Sequence, residues 1–338
     1  MMDDANPVLA EVTRGPLVES WHRGAAVAVD ATGKRVRAWG DVERPIYPRS
    51  ANKPLQAIAL LETGAAARWG LSDAEVALAC ASHHGEPRHT EAVAAWLARC
   101  GLGADALECG AHAPYDEATA AALIRTGQAP SALHNNCSGK HTGFLATAAH
   151  LGEPTRGYID VDHPVQRRVA RTVAELCGLD VARLPFGIDG CGIPTYALPL
   201  EALARGMAQL ADPSRLAPER AAAARRIVRA ITANPMMIGG TDSLASRATA
   251  ALDGTLIVKS GAEGVYAAVL PAAGWAVALK IDDGTPRARD CALLAVLARL
   301  GVLDTAQIAR LDALVASELL NRAGRAIGAV RPGPAFDA

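Results

Sequence analysis

Apolar positions change their period several times along this chain of 338 residues. Between 17 and 39 they follow a strand rhythm. Ala25-Ala-Val-Ala-Val-Asp30 and Arg35-Val-Arg-Ala-Trp39 flank the turn Ala31-Thr-Gly-Lys34, which predicts a β-hairpin. From Ser50 the spacing becomes helical, with Leu55, Ile58 and Leu61 on one face. Ser50 suits an N-cap, Pro54 falls where a missing N–H is least costly, and Gly64 suits a terminator. The span 72–150 is alanine-rich and predicts helices, broken by the polar strings Ser82-His83-His84-Gly85-Glu86 and 135–143. Further helices are predicted over 164–180 and 198–233, separated by a glycine-bearing segment at 187–195. Strand signals then return over 254–259, 264–270 and 274–281, and a closing helix is predicted over 288–300. The last dozen residues read as irregular.

The expected fold class is therefore α+β. An antiparallel sheet of about five strands, drawn from both chain ends, is flanked by helices and carries an inserted helical lobe. The expected organisation is a single catalytic unit: 12–50 plus 245–300 as a sheet lobe, 51–244 as a mainly helical lobe, and 301–338 as a C-terminal segment. Strands and helices do not alternate, which excludes Rossmann and TIM-barrel plans.

Charge narrows the function classes. Lys and Arg total 34 against 35 Asp and Glu, so the chain has no basic footprint for nucleic acid and no polybasic membrane segment. No apolar run reaches the ~20 residues of a membrane span, and Met1-Met2-Asp3-Asp4 does not open a signal peptide. Seven widely spread cysteines fit a reducing compartment, and a cytoplasmic location is expected. Only five of the 34 basic residues are lysines: Lys34, Lys53, Lys140, Lys259 and Lys280. Burial can lower an amine's pKa enough to make it a base, which a guanidinium does not allow, so each lysine is a candidate for chemistry.

Ser50-Ala51-Asn52-Lys53 places a hydroxyl and an ammonium on one helical face, and a neutral lysine there is a suitable base for a serine nucleophile. Alone, S-x-x-K is commonly an N-cap serine beside a surface lysine. Lys259-Ser260-Gly261 at a strand end changes its weight, because S-x-x-K followed by K-[ST]-G is the arrangement of serine β-lactamases and penicillin-binding proteins. Ser82, where an apolar stretch opens into a loop, is a partner for Lys259 in a second Ser-Lys pair. The neighbouring His84 and His89 read as satisfied loop residues. Gly139-Lys-His-Thr142 is not a phosphate loop, since His134 stands where the motif requires glycine. Cys137, Lys140 and Cys191, with Asp189, form a feasible though unusual zinc set, and they read equally as buried free thiols.

Together these segments resemble the asparaginase II family, the thermolabile Rhizobium-etli-type L-asparaginases. The resemblance rests on Arg49-Ser-Ala-Asn-Lys-Pro54, Cys80-Ala-Ser-His83, Asn136-Cys-Ser-Gly-Lys-His141, Asp189-Gly-Cys191 and Ile281-Asp-Asp-Gly284. His22-Arg23 and Asp162-His-Pro164 add to it, and Ser260 and Gly192 depart from it. It implies a glutaminase and β-lactamase-like fold, a homodimer, and hydrolysis of L-asparagine to L-aspartate and ammonia. It further implies Ser50 with Lys53 and Ser82 with Lys259 as the Ser-Lys pairs. Zinc is implied on Cys137, Lys140 and Cys191, aiding substrate binding without being the hydrolytic centre.

The mechanism expected is acyl-enzyme catalysis in which Lys53 takes the Ser50 proton. A free amino acid carries both charges, and Arg49 and Asp189, with His141, are the candidate substrate contacts. The alternatives are a glutaminase or other small-amide amidohydrolase, a β-lactamase or peptidase, and a zinc- or amino-acid-binding protein on the same scaffold.

Overall fold

A computed structural model describes residues 6–315 and 317–337. Its main sheet has eight strands: β1 Val8–Arg14, β2 Leu17–Asp30, β3 Arg35–Trp39, β4 Ile257–Ser260, β5 Val265–Leu270, β6 Trp275–Ile281, β7 Glu318–Leu320 and β8 Ala326–Pro332. The order is β7-β8-β1-β2-β6-β5-β4, with β3 also on β2, and every pairing is antiparallel. The long β2 joins the two halves. Leu17 to Arg23 pair with β1, and Gly24 to Asp30 pair with β6.

The α+β plan is as expected, and so is the hairpin β2–β3. The sheet has three more strands than the expected five, and the extra ones lie at the chain ends. The tail is not irregular: β8 runs along β1, matching Val330 to Val12.

The helices used below are α1 Lys53–Gln56, α2 Ile58–Glu62, α3 Asp73–Ala79, α4 Pro87–Arg99, α5 Ser138–Leu151, α6 Pro164–Cys177, α7 Leu200–Ala211 and α8 Pro286–Leu300. Helix α7 packs on β2, β5 and β6, and α8 packs against β1, β8 and β6. With both faces covered, β5 is buried at every position, which is why it reads as an uninterrupted apolar run. The helix expected from Ser50 to Gly64 forms in pieces. A 3₁₀ turn at Arg49–Asn52 leads into α1, and Ala57 separates α1 from α2. Ser50 is thus inside the turn, and Pro48 holds the capping position. Gly64 follows α2 with φ +79°, the left-handed conformation that favours glycine. Among the described residues no helix is long and apolar enough to cross a membrane.

Candidate active site

Three elements meet where the sheet edge β4 touches the 3₁₀ turn. Gly261 ends β4, and a Cβ there would lie 2.7 Å from Pro48 O and 3.3 Å from the Ala51 methyl. Glycine therefore lets the strand end lie directly on the segment that carries Ser50. The third element is the extended stretch after α3, held by Ser82 N donating to Ile238 O (2.9 Å) and His83 N donating to Asn136 O (3.2 Å). Helix α5 closes the back. A Cβ on Gly139 would overlap Leu78 O, so only glycine lets α5 approach the last turn of α3 this closely.

Two of the three buried lysines, Lys53 and Lys259, reach one serine. Ser82 Oγ lies 3.0 Å from Lys53 Nζ and 2.8 Å from Lys259 Nζ. Lys53 Nζ also reaches Ala81 O (2.5 Å) and Cys137 Sγ (3.1 Å), giving three partners that match the three donors of an ammonium. Ser50 Oγ is not among them. Lys259 has two partners, Ser82 Oγ and Ser260 O (2.8 Å). Burial, and then the charge of Lys53, hold the Lys259 amine well below the usual lysine range. An N–H of a neutral Lys259 satisfies Ser260 O, and its lone pair is left to accept the Ser82 proton.

Arg49 and Asp189 form an ion pair beside this centre. Arg49 Nε and Nη2 donate to Asp189 Oδ1 at 3.1 and 2.9 Å. Burial opposes both charges, but their mutual attraction outweighs it, raising Arg49 and lowering Asp189. Arg49 has φ +51°, a conformation that disfavours a side chain and stores about 1–3 kcal/mol. That strain lies immediately before Ser50. Asp189 opens a tight turn in which Gly192 N donates to Asp189 O at 2.8 Å, and Gly192 has φ +89°.

Cys137, Lys140 and Cys191 also converge. Lys140 Nζ lies 3.1 Å from Cys191 Sγ. The Cys191 thiol lowers Cys137 well below the usual thiol range, and the same contact raises Cys191. Burial disfavours charge on Lys140, but Cys137 and Cys191 more than offset it and its pKa is raised. Among the described residues no three or more His, Cys, Asp and Glu side chains group to hold a metal. The Cys137, Cys191 and Lys140 donors nevertheless suit a thiophilic cation once their protons leave.

His141 is fully buried. Its Nδ1 lies 2.7 Å from the Tyr158 hydroxyl, and among the described residues its Nε2 has no hydrogen-bond partner. Tyr158 was not legible as a site residue, because nothing in its local sequence marks it. Ser138 lies inside the Asn136–His141 motif without having been singled out; its Oγ lies 2.8 Å from His83 Nε2 and braces the Ser82 stretch. His84 follows in the same stretch, but His89 stands in α4 and not in a loop; its Nε2 is bonded to Met236 O (3.0 Å) while its buried Nδ1 has no partner among the described residues, so the expectation of a satisfied loop residue fails for it.

The site thus holds one serine between two buried lysines at the edge of an α+β sheet. The chain belongs to the L-asparaginase II family, whose profile matches residues 10–332, and is thereby an amidohydrolase. No curated protein matches it. Similar solved structures include one titled Mglu (18% identity, 83% of this chain and 68% of that one, TM-score 0.37). Others are a β-lactamase from Mycobacterium bovis (14%, 87% and 94%, TM-score 0.40) and a D-alanine carboxypeptidase from Burkholderia cenocepacia (14%, 85% and 92%, TM-score 0.39).

Proposed function

We propose that this protein hydrolyses L-asparagine to L-aspartate and ammonia through an acyl-enzyme on serine. The observation that carries the reading is Ser82 Oγ between Lys53 Nζ and Lys259 Nζ. It supports a relay: Ser82 passes a proton to the neutral Lys259 and takes one from Lys53. Lys53 is then free to accept the Ser50 proton as Ser50 attacks the side-chain amide carbon. The returning proton leaves with ammonia, and water releases aspartate from the ester. Main-chain N–H groups of the turn at Arg49–Asn52 would serve the oxyanion. Arg49 and Asp189 would take the α-carboxylate and α-ammonium, with His141 Nε2 as a further contact.

Cys137, Lys140 and Cys191 would hold zinc, which when bound supplies positive charge that favours a substrate carboxylate. The protein would act as a homodimer in the cytoplasm.

Ammonia release from L-asparagine and L-glutamine tests the reading. Turnover is expected on asparagine, and none on either amide would overturn it. Glutamine is longer by one methylene, which a pocket separates by only about 1–3 kcal/mol, so the ratio of kcat/KM decides between asparaginase and glutaminase. The same contacts favour one rival assignment, with Ser82 as the nucleophile and Lys259 as its base. Peptide mapping of the acid-quenched acyl-enzyme separates them, since the adduct sits on Ser50 in our scheme and on Ser82 in the rival.

A further inference from the structure

Lys259-Ser260-Gly261 is held from behind by a side chain that the relay does not use. Arg289, on α8, donates from Nη1 to Gly261 O at 3.2 Å and from Nε to Asp290 Oδ1 at 3.1 Å. Its guanidinium carbon stands 4.1 Å from the centroid of the Tyr266 ring, and Tyr266 is the β5 residue paired with Ser260. The Arg289 side chain is only 15% exposed. The fork, the stacked ring and the carboxylate thus fix one guanidinium in one place. Gly261 is also where the 3₁₀ turn carrying Ser50 rests on the strand.

We propose that Arg289 is a positioning residue for the Lys259–Ser82 pair: it clamps the main chain two residues beyond Lys259 and fixes a permanent positive charge at that end of β4. The proposal deepens the relay reading, since it names what keeps Lys259 able to accept a proton.

Lys259 is charge-balanced from several sides. Lys53 from α1 and Arg289 from α8 oppose its protonation, while Cys137 ahead of α5 and Cys80 after α3 favour it. Burial pushes the Cys80 thiol up to about 12, so it stays neutral and adds little at neutral pH. Of the two opposing cations, Lys53 changes charge in the relay. Arg289 does not, because a guanidinium keeps its proton throughout the working range. Burial is the larger cause and stays without Arg289, but the amine would hold its proton somewhat more firmly.

The small number of lysines makes a direct test practical. Protein labelled with [¹³Cε]lysine gives five signals to assign, and Lys259→Arg identifies the one that matters. In the wild type the Lys259 signal should titrate below the other lysines. In Arg289→Gln its proton affinity should rise at least about threefold, half a pH unit. Arg289→Lys, which restores the charge but not the fork, should titrate close to the wild type and adds one ordinary lysine signal. Circular dichroism checks that each variant folds, and if Arg289→Gln does not, Arg289→Met replaces it. An unchanged Lys259 midpoint without the charge overturns the proposal. So does an equal shift in the glutamine and lysine variants, which would reduce Arg289 to a structural brace. The titration needs no turnover, so a protein that leaves asparagine intact would defeat the relay reading while Arg289 is still decided.

Discussion

Ser82 shows how a side chain's role depends on what its neighbours can donate. Its hydroxyl sees one lysine with three acceptors and another with two, so the first reads as an ammonium and the second as a base. Lys53→Arg keeps the first charge but removes the ability to give up a proton. Loss of a general base typically lowers kcat/KM by about 10²–10⁴-fold, and that loss is expected here with folding intact. Activity within a few-fold of wild type would remove Lys53 from the relay. At this scale the Ser82–Lys259 contact was legible and the Ser50–Lys53 contact was not. Spacing put Ser50 and Lys53 on one face, but the short 3₁₀ turn and the reach of a lysine stem let Nζ cross to Ser82 instead. Cys137 Sγ also accepts from it there, and no local pattern announces a partner 84 positions further on.

Elements were legible where side chains alone decide them. The second half of β2, strands β4 to β6 and helix α8 show their period because each buries a continuous apolar face, and β3, of which only Trp39 is buried, is legible from the turn before it. Strand β8 does not. Of Ala326–Pro332 only Val330 is buried, and glycine, alanine and proline in it give no strand signal. Its place is set by main-chain pairing with β1 from Ala10–Pro332 to Arg14–Gly328, and a Cβ at Gly328 would overlap Thr13 O. Backbone pairing across more than 300 residues leaves no trace in local periodicity. The tail is nevertheless part of the sheet. Truncation after Arg325 would leave the outer edge of β1 unpaired beside the buried Leu9 and Val12. A lower melting temperature and concentration-dependent aggregation by light scattering are expected. An unchanged melting temperature would show that β8 adds nothing to the sheet.

For the whole molecule, acid is the expected weakness, and the reason lies beside the site. His83 and His89 are fully buried with their rings stacked, centroids 4.9 Å apart. Burial holds His83 well below the usual histidine range, with the neighbouring His89 adding to the effect, and burial lowers His89 as well. Unfolded, both rings titrate near 6.5. Above that value neither state takes up the protons and the full stability is present. Below it the unfolded chain binds protons that the folded one refuses, so stability falls as the pH falls toward the folded values. The slope is up to about 1.4 kcal/mol per pH unit for each histidine, so the pair removes at most roughly 2–3 kcal/mol between pH 6.5 and 5.5. Urea midpoints from pH 8 to 5 measure it, and His89→Gln should flatten the acid limb. A wild-type midpoint that holds steady down to pH 5.5 would contradict the argument. Because His83 is bonded to Ser138 and sits directly after Ser82, this loosening reaches the relay before the chain unfolds globally. Activity lost to brief acid exposure should therefore return on neutralisation, along with the native near-UV spectrum. Loss of activity through direct protonation of Lys259 would leave that spectrum unchanged throughout.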